Sequence, residues 1–293
     1  MARKRTISIS ALNIAMHQPH SPKKYLAFMK KAFSLREKVK LSNVHYAMIG
    51  SSYTNPENEN EINGDIFRFV KIDPNEPWFN EKTQEPATKE EQEEVSLPNH
   101  LLPNLQRIPY IFLADKHCLF IITKDRKTTI SPATIQNIIE RIISKNIIQN
   151  EFPEVAVTVI SDAEQVNKLL KLPDIRKITI KINRPNADDA DDIEQNFMER
   201  LERIGASSKE EIYTAEKGNG IFPDEDITNI ANAATKNGKV TVVSRDSTGG
   251  TRILSTDEFP KKVNATVNSE IETTLSVLRR EAHRWLLNER NNV

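Results

Sequence analysis

The stretch Ile175-Arg176-Lys177-Ile178-Thr179-Ile180-Lys181-Ile182-Asn183 alternates between apolar and polar side chains. A period of two residues is typical of a β-strand that buries one of its faces. The isoleucines at 178, 180 and 182 point to one face, and Lys177, Thr179 and Lys181 point to the other. This stretch therefore predicts a sheet with one apolar face and one cationic face.

Working outward, residues 173–293 predict a domain with the element order β-α-β-α-β-β-α. After the strand Ile175–Asn183 come a helix Ala187–Ile204 closed by Gly205, a strand Glu211–Ala215, a helix Asp224–Asn237 ended by Gly238, strands Lys239–Arg245 and Thr251–Thr256, and a last helix Val263–Glu289. This order favours a sheet with helices packed on one face.

Residues 1–172 predict a first domain of the same class. Its patterns indicate a strand Thr6–Met16, a helix opened by Ser21-Pro22, strands Val44–Tyr53 and Ile62–Ile72, a hairpin Arg107–Ala114 and His117–Thr123, a helix opened by Ser131-Pro132, a strand Glu154–Ile160 and a short helix opened by a capping box at Ser161–Glu164. We therefore predict an α+β protein of two domains, 1–172 and 173–293, each a mostly antiparallel sheet with helices on one face.

The composition is that of an ordinary folded protein, with 38% hydrophobic and 28% charged residues. No run of about 18 apolar residues is present, and no apolar core of a signal peptide follows the basic start. Cys118 is the single cysteine, so neither an intramolecular disulfide nor a cysteine-based zinc site is expected, and a reducing cytoplasm fits.

Charge is unevenly distributed although the formal net charge is zero. Residues 1–50 hold ten Lys and Arg against the single acid Glu37, a balance of +9, whereas residues 51–100 hold twelve acids against four bases, a balance of −8. Such asymmetry suggests contact with a polyanion, two regions that complement one another, or simply two solvated surfaces. The segment 73–99, rich in Pro and Glu, predicts a mobile acidic loop.

The strand Lys239–Arg245 repeats the alternation of the first stretch. If the two strands share a sheet, their common face carries Lys, Thr and Arg, groups that neutralise phosphates or donate hydrogen bonds to them. An ordinary solvated face is the alternative. No aromatic pair interleaves with these bases, which disfavours stacking on single strands and favours a duplex backbone. The predicted phosphate contacts are Lys177, Lys181, Arg184, Lys239, Arg245 and Arg252, helped by Lys23, Lys24, Lys30 and Lys31.

The predicted last helix carries a seven-residue rhythm of apolar positions, which gives a narrow seam. That seam either packs on the chain's own sheet or forms a homodimer interface. Its interface residues would be Val267, Ile271, Leu275, Leu278 and Trp285. Arg279, Arg280 and Arg284 fall on the outer side and extend a basic surface.

Motifs that carry catalytic or cofactor chemistry are weak in this sequence. His17 and His20 flank Gln18-Pro19 and cannot share a helix face as metal ligands, and the acids within 188–192 suit the first turn of a helix. There is no Walker loop, dinucleotide glycine motif or nucleophile elbow, so neither a metal nor a cofactor is expected. The triplet Asp125-Arg126-Lys127 leaves a metal-dependent nuclease as the enzymatic alternative.

Several strings resemble those of the phage lambda exclusion protein RexA and its relatives among phage-defence proteins. They are Cys118-Leu119-Phe120-Ile121-Ile122-Thr123-Lys124, the lysine-bearing strand Ile178–Ile182, Tyr213-Thr214-Ala215-Glu216-Lys217-Gly218 and the closing Arg279-Arg280, in order over residues 107–290. The resemblance implies a homodimer that binds DNA without marked sequence preference and acts in abortive infection with a membrane partner protein. The expected function is thus DNA binding without catalysis, and a protein-interaction module using the acidic loop is the other alternative.

Overall fold

The computed structural model describes residues 4–16, 21–73, 76–95, 98, 100–126, 128–184 and 199–290. In chain order its strands are β1 (Lys4–Met16), β2 (Val39–Lys40), β3 (His45–Ile49), β4 (Tyr53–Asn55), β5 (Asn58–Val70), β6 (Phe79–Asn80), β7 (Glu85–Pro86), β8 (Gln106–Leu113), β9 (Cys118–Asp125), β10 (Thr128–Thr129), β11 (Val155–Val159), β12 (Ile175–Asn183), β13 (Ser208–Thr214), β14 (Gly238–Arg245), β15 (Thr251–Ser255) and β16 (Val263–Asn268). The helices are α1 (Pro22–Ser34), α2 (Lys89–Glu93), α3 (Pro132–Ile143), α4 (Asn146–Gln149), α5 (Ala163–Leu170), α6 (Glu225–Asn237) and α7 (Thr274–Arg290).

Two main antiparallel sheets and the helices on them confirm the predicted α+β class, and β6 and β7 form a third sheet of two strands. The larger sheet has the order β11-β1-β9-β8-β5-β3-β2, with β10 paired to β9, β16 to β1 and β4 to β5. The smaller sheet has the order β13-β12-β14-β15. Of the helix predicted over Ala187–Ile204, residues 199–203 are helical and Gly205 follows with a φ of 68°, while residues 187–198 lie outside the described part of the chain.

Strand β1 lies inside the larger sheet and is apolar on both faces. One edge pairs with β9, and the other edge pairs with β16 along Lys4–Ile9 and with β11 along Leu12–Met16. Because successive side chains of a strand point to opposite faces, its buried residues divide into two sets that belong to two separate cores. The strand therefore needs cover on both sides.

Helices α1 and α3 cover the first of these faces. Tyr25 and Phe28 of α1 and Ile135 and Ile138 of α3 are fully buried against Leu12 and its neighbours. Both helices begin as the sequence predicts, because the hydroxyls of Ser21 and Ser131 accept hydrogen bonds from the first-turn amides and a proline follows each. Helix α3 ends at Ile143, and in the short helix α4 that follows, Ile148 is buried and Ile147 is half exposed.

Helix α7 covers the second face, so the larger sheet carries helices on both faces rather than on one. Leu278, Ala282 and Trp285 pack against Ile9 and Phe120. The rings of Trp285 and Phe120 meet edge to face, with their centroids 5.7 Å apart. In the smaller sheet, the described helices α5 and α6 pack on one face. The difference arises because the larger sheet presents apolar side chains on both sides.

The predicted last helix Val263–Glu289 is wrong in its first third. Residues Val263–Asn268 form β16, which pairs with β1, and the helix begins only at Thr274. Ala265 and Val267 are buried at every second position, a strand period, and β-branched residues favour strands. The division into domains 1–172 and 173–293 stays a prediction, but this strand and α7 return from the second range to the core of the first.

The acidic segment 73–99 contains regular structure where it is described. Strands β6 and β7 form a small hairpin, and α2 follows with a capping box in which Thr88 and Glu91 exchange hydrogen bonds with each other's backbone. The prediction of a loop missed this capping signal because the segment has little apolar content. Residues 74, 75, 96, 97 and 99 lie outside the described residues.

A buried ion pair fastens α7 to the larger sheet. Glu61 of β5 is 1% exposed, and its Oε1 accepts from Nε and Nη2 of Arg279 at 2.8 and 2.7 Å. The second oxygen, Oε2, is buried and has no partner among the described residues. A buried carboxylate that loses its only cation keeps the cost of its desolvation, so Arg279 stabilises the fold more than an exposed arginine does.

We expect Arg279→Ala to lower the free energy of unfolding by about 3 kcal/mol, because Glu61 would stay buried without its cation. The midpoint of urea unfolding measures this change. Arg284→Ala is the matched control: its side chain is 64% exposed and its partner Glu281 keeps Arg280, so its loss should stay within about 1 kcal/mol. Equal losses in the two variants would contradict a structural role for the Glu61 pair.

Candidate nucleic-acid interface

The two alternating strands of the sequence are neighbours in the smaller sheet. Across β12 and β14, Lys181 lies opposite Lys239, Thr179 opposite Thr241 and Lys177 opposite Val243. The two strands therefore share a sheet, and the common face predicted for them on that condition is confirmed. We name this side of the sheet the open face; it consists of Lys177, Thr179, Lys181, Lys239, Thr241, Val243 and Arg245 with the outward residues of β13 and β15.

The opposite side of the sheet is covered by α5 and α6. Isoleucines and valines of β12 and β14 pack there against Val166 and Leu169 of α5 and Ala231 and Ala234 of α6. Asp162 and Asp224 cap these helices by accepting hydrogen bonds from first-turn amides. In α5 the cap is one residue later than the predicted Ser161. This burial fixes which way the lysines of the two strands point.

Gly238 sets the close approach between α6 and the sheet. The sequence predicts that it ends the helix, which is confirmed, since α6 stops at Asn237 and Gly238 is its C-cap. Its φ of −160° is extended, and it is also the first residue of β14. A Cβ at this position would lie 2.1 Å from the Lys181 carbonyl oxygen and 3.0 Å from the Ala234 Cβ. Glycine therefore lets β14 pack against β12 here, and Lys239 follows directly beside Lys181.

Three of the predicted cations are exposed on the open face and form no ion pair there with a described residue. Lys177, Lys181 and Arg245 form no ion pair or side-chain hydrogen bond with another described residue. Lys239 is also exposed but pairs with the carboxylate of Asp257. An ammonium without a local partner keeps its full charge for an incoming anion, so these positions give the face its positive character.

Arg252 and Arg184 stand apart from the other predicted contacts. Arg252 is opposite Ser244, whose side is covered, so the register points Arg252 away from the open face. It lies 3.4 Å from Asp246, whose pKa is lowered by hydrogen bonds from the Thr248 hydroxyl and the Gly250 amide. Arg184 follows the last residue of β12 and its amide donates to Ser207, which leaves it at the edge of the face.

Strand β13 contributes mainly neutral and acidic groups. Glu210 is the cross-strand neighbour of Lys181 on the open face, and Ile212 is exposed there. On the other side, hydrogen bonding to Glu211 and then burial raise the pKa of Tyr213 to about 12. Burial alone raises the pKa of Glu211, but hydrogen bonds from Lys209 and Tyr213 outweigh it and lower that pKa. The positive charge is therefore concentrated on β12 and β14.

The lysines of α1 lie on the larger sheet. Lys23 and Lys30 are exposed, and Lys31 pairs with Glu151 beyond α4 at 2.9 Å. Lys24 is half-buried beside the cap of the helix. Helices α3 and α4 separate this region from the smaller sheet, so the sequence-predicted cations form two regions and not one patch.

A cleft of about 630 Å³ lies between the two sheets, and no sequence signal pointed to it. One wall comes from the open face and the other from α3, α4 and β11. We name it the intersheet cleft; its lining includes Lys181, Asn183, Ser207, Ser208, Lys239 and Asp257 on one wall and Gln136, Glu140, Ile143, Gln149, Glu154, Val155 and Val157 on the other. These residues are far apart in the sequence, so only the fold brings them together.

Most side chains of the predicted dimer seam are buried in the core of the same chain. Val267, Leu278 and Trp285 are at most 3% exposed and Leu275 packs against the same core, whereas Ile271 lies in a turn and is 82% exposed. The shift from helix to strand at 263–268 removes the seven-residue rhythm on which the seam depended. These five residues therefore do not form one continuous exposed surface.

The arginines of α7 are neutralised and do not extend a basic surface. Arg280 pairs with Glu272 and Glu281, and Arg284 pairs with Glu281. With Arg279 bound to Glu61, every arginine that the sequence placed on this surface has an acidic partner. Coulombic compensation at these distances leaves little net charge for a ligand.

Asp125, the acid of the nuclease alternative, is held in an ion pair with Arg5. Asp125 accepts two hydrogen bonds from Arg5 at 2.7 and 3.1 Å, and Arg5 also donates to the Thr274 hydroxyl at the start of α7. Lys127 lies outside the described residues, as do His17, His20 and the acids within 188–192. Within the described ranges no group of three or more His, Cys, Asp or Glu side chains is placed to hold a metal.

The fold and this interface define an α+β protein with two antiparallel sheets, of which the smaller exposes a cationic face. A family model described as a domain of unknown function (DUF4747) matches residues 5–283, so the chain belongs to that family. A search of curated proteins finds no match. No helix in the described ranges is long and apolar enough to cross a membrane.

The two faces of β12 should respond differently to substitution. Ile180 is 1% exposed, so Ile180→Ala should lower the free energy of unfolding by about 2–5 kcal/mol through lost burial and a cavity. Lys181→Gln, one residue away on the open face, should change it by no more than about 0.5 kcal/mol. Urea unfolding of both variants tests the assignment, which would be wrong if Lys181→Gln were the more costly change.

Proposed function

We propose that this chain binds nucleic acid, in particular double-stranded DNA, through phosphate contacts and without reading base sequence. The observation that carries the proposal is the open face, where Lys177, Lys181 and Arg245 are exposed and form no ion pair with another described residue. Basic side chains that neutralise phosphates release counterions, which supplies most of the affinity in binding without sequence preference.

The spacing of the lysines suits a duplex backbone. Lys177 and Lys181 are four residues apart on one strand, a separation of about 13 Å because each residue advances about 3.3 Å. This separation is close to the width of the DNA major groove, about 12 Å. Phosphates on the two sides of a groove are therefore within reach of the two side chains.

The neutral residues of the face favour backbone contacts over base contacts. Thr179 and Thr241 lie side by side between the cations and offer hydroxyl donors to phosphate oxygens. No aromatic side chain occurs among the described residues of this face, so it offers no platform on which bases stack. Both features support recognition of shape and charge.

The lysines of α1 supply a second contact region in this proposal. Lys23 and Lys30 are exposed on a helix with no acid in its first turn. A long duplex that touches both the open face and α1 would pass over α3 and α4. The salt dependence of binding should then report more phosphate contacts than the open face alone provides.

The biological setting of the proposal rests on the resemblance to the RexA family. We propose that the chain acts as a homodimer in phage defence, in the cytoplasm where phage DNA is found, together with a membrane partner protein. A second copy would double the number of phosphate contacts and raise the effective concentration of the second face on the same DNA. The dimer contact is not assigned to the α7 seam, whose side chains are mostly buried.

We expect the protein to bind a 20-base-pair duplex with an affinity that falls steeply as salt rises. In a plot of the logarithm of the association constant against the logarithm of the salt concentration, each phosphate contact should add about −0.9 to the slope. The triple variant Lys177→Gln/Lys181→Gln/Arg245→Gln should bind more weakly and with a slope reduced by about 3. Fluorescence anisotropy with duplexes of unrelated sequence, over a range of salt concentrations, measures both quantities.

Lys168→Gln is the matched control for this experiment, because Lys168 is exposed on α5, the helix that covers the opposite side of the sheet. It should leave affinity and slope unchanged. Absence of binding by the unaltered protein, or an equal effect of Lys168→Gln and the triple variant, would refute the proposed role of the open face. Tighter binding of duplex RNA than of DNA would move the proposal to RNA.

A further inference from the structure

The intersheet cleft has the size and position of a small-molecule site. Its volume of about 630 Å³ falls within the range of about 300–1,000 Å³ that is usual for ligand pockets. It lies where two separately packed layers meet, which is a common location for such sites. The Asn183 amide donates to the Thr158 hydroxyl at 3.3 Å across it, so the two walls are held together at one point.

The wall formed by the smaller sheet offers a group of anion donors. Lys181 and Lys239 are directly opposite on neighbouring strands, and Ser208 lies opposite Asn183 on the next strand. Two ammonium groups and the hydroxyls of Ser207 and Ser208 thus line the same wall. Lys181 has no ion-pair partner within the described residues and is available to a phosphate.

The wall formed by α3, α4 and β11 offers acceptors and an apolar strip. Gln136 donates to Glu140 at 2.8 Å and to the Val157 carbonyl at 3.0 Å, which holds the Glu140 side chain toward the cleft. Hydroxyl and amino groups are the natural partners of the Glu140 carboxylate. Ile143 and Val155 supply an apolar surface beside it, suited to the face of a planar ring.

The charge balance of the cleft selects among phosphorylated ligands. Its lining holds Lys181 and Lys239 against Glu140, Glu154 and Asp257, two cations against three acids. Two lysines and two hydroxyls suit a single phosphate, whereas each further phosphate would place more negative charge beside the three acids, so a ligand with one phosphate and an amino-bearing base fits the cleft better than a triphosphate.

We propose that the intersheet cleft binds a nucleoside monophosphate, with the phosphate on Lys181, Lys239 and the two serines and the base amino group on Glu140. The inference extends the proposed function in one respect, which rests on that function: Lys181 and Lys239 belong to both surfaces, so the nucleotide competes with DNA for them. The cleft site itself does not depend on DNA binding.

Isothermal titration of the full chain with adenosine monophosphate tests the site. We expect the nucleotide to bind, and adenosine and inorganic phosphate each to bind at least tenfold more weakly, because each lacks one half of the ligand. Lys181→Gln should weaken nucleotide binding about tenfold, the usual effect of losing one charge-assisted hydrogen bond. Glu140→Gln should weaken the binding of adenosine monophosphate more than that of uridine monophosphate, because the base of uridine monophosphate has no amino group.

Lys177→Gln is the matched control, because Lys177 is on the same strand and face as Lys181 but does not line the cleft. It should weaken DNA binding and leave nucleotide binding unchanged. If none of the four common nucleoside monophosphates binds at millimolar concentration while Lys177→Gln still weakens DNA binding, the cleft proposal fails and the proposed function stands. If nucleotide binds but DNA does not, the proposed function fails and the cleft proposal stands. Equal effects of Lys177→Gln and Lys181→Gln on the nucleotide would also overturn the site.

Discussion

The burial of both faces of β1 is the constraint on which the rest of the structure depends. A strand that is apolar on two sides gains stability only if a separate layer covers each side, since exposed apolar area is unfavourable in water. Helices α1 and α3 supply one layer. The other layer comes from the far end of the chain, where β16 pairs with β1 and α7 lies over it. The chain therefore forms the smaller sheet before β16 and α7 pair with and cover its first strand.

The smaller sheet follows a different rule, because only one of its faces is apolar. Helices α5 and α6 cover that face, and small residues at the contact let the helix and strands approach closely. Among the described residues, no helix is packed on its other face in the way that α5 and α6 cover the first, and that face carries the exposed lysines. Helices α3 and α4, which pack on the larger sheet, lie beside this open face, and the intersheet cleft is the space left between them. The candidate sites are thus consequences of how the two sheets are joined.

Local ion pairs decide which of the many charges are available. Every arginine of α7 discussed above has a carboxylate partner, and Arg5 with Asp125 ties β1 to β9. Lys177, Lys181 and Arg245 have no such partner among the described residues. A count of basic residues in the sequence treats these two groups alike, although the first stabilises the fold and the second defines a surface. This distinction gives a DUF4747 protein a specific candidate interface.

Local sequence patterns were enough to predict the class of the fold, the caps of α1 and α3 and the two faces of β12 and β14. These features depend on side chains within a few residues of each other, where periodicity and capping chemistry act directly. Only the tertiary structure decided that 263–268 is a strand, since that choice depends on the free edge of β1 far away in the sequence. It also decided which charges are paired and that Lys181 meets α3 across a cleft, because distances between distant segments are set by packing and not by local pattern.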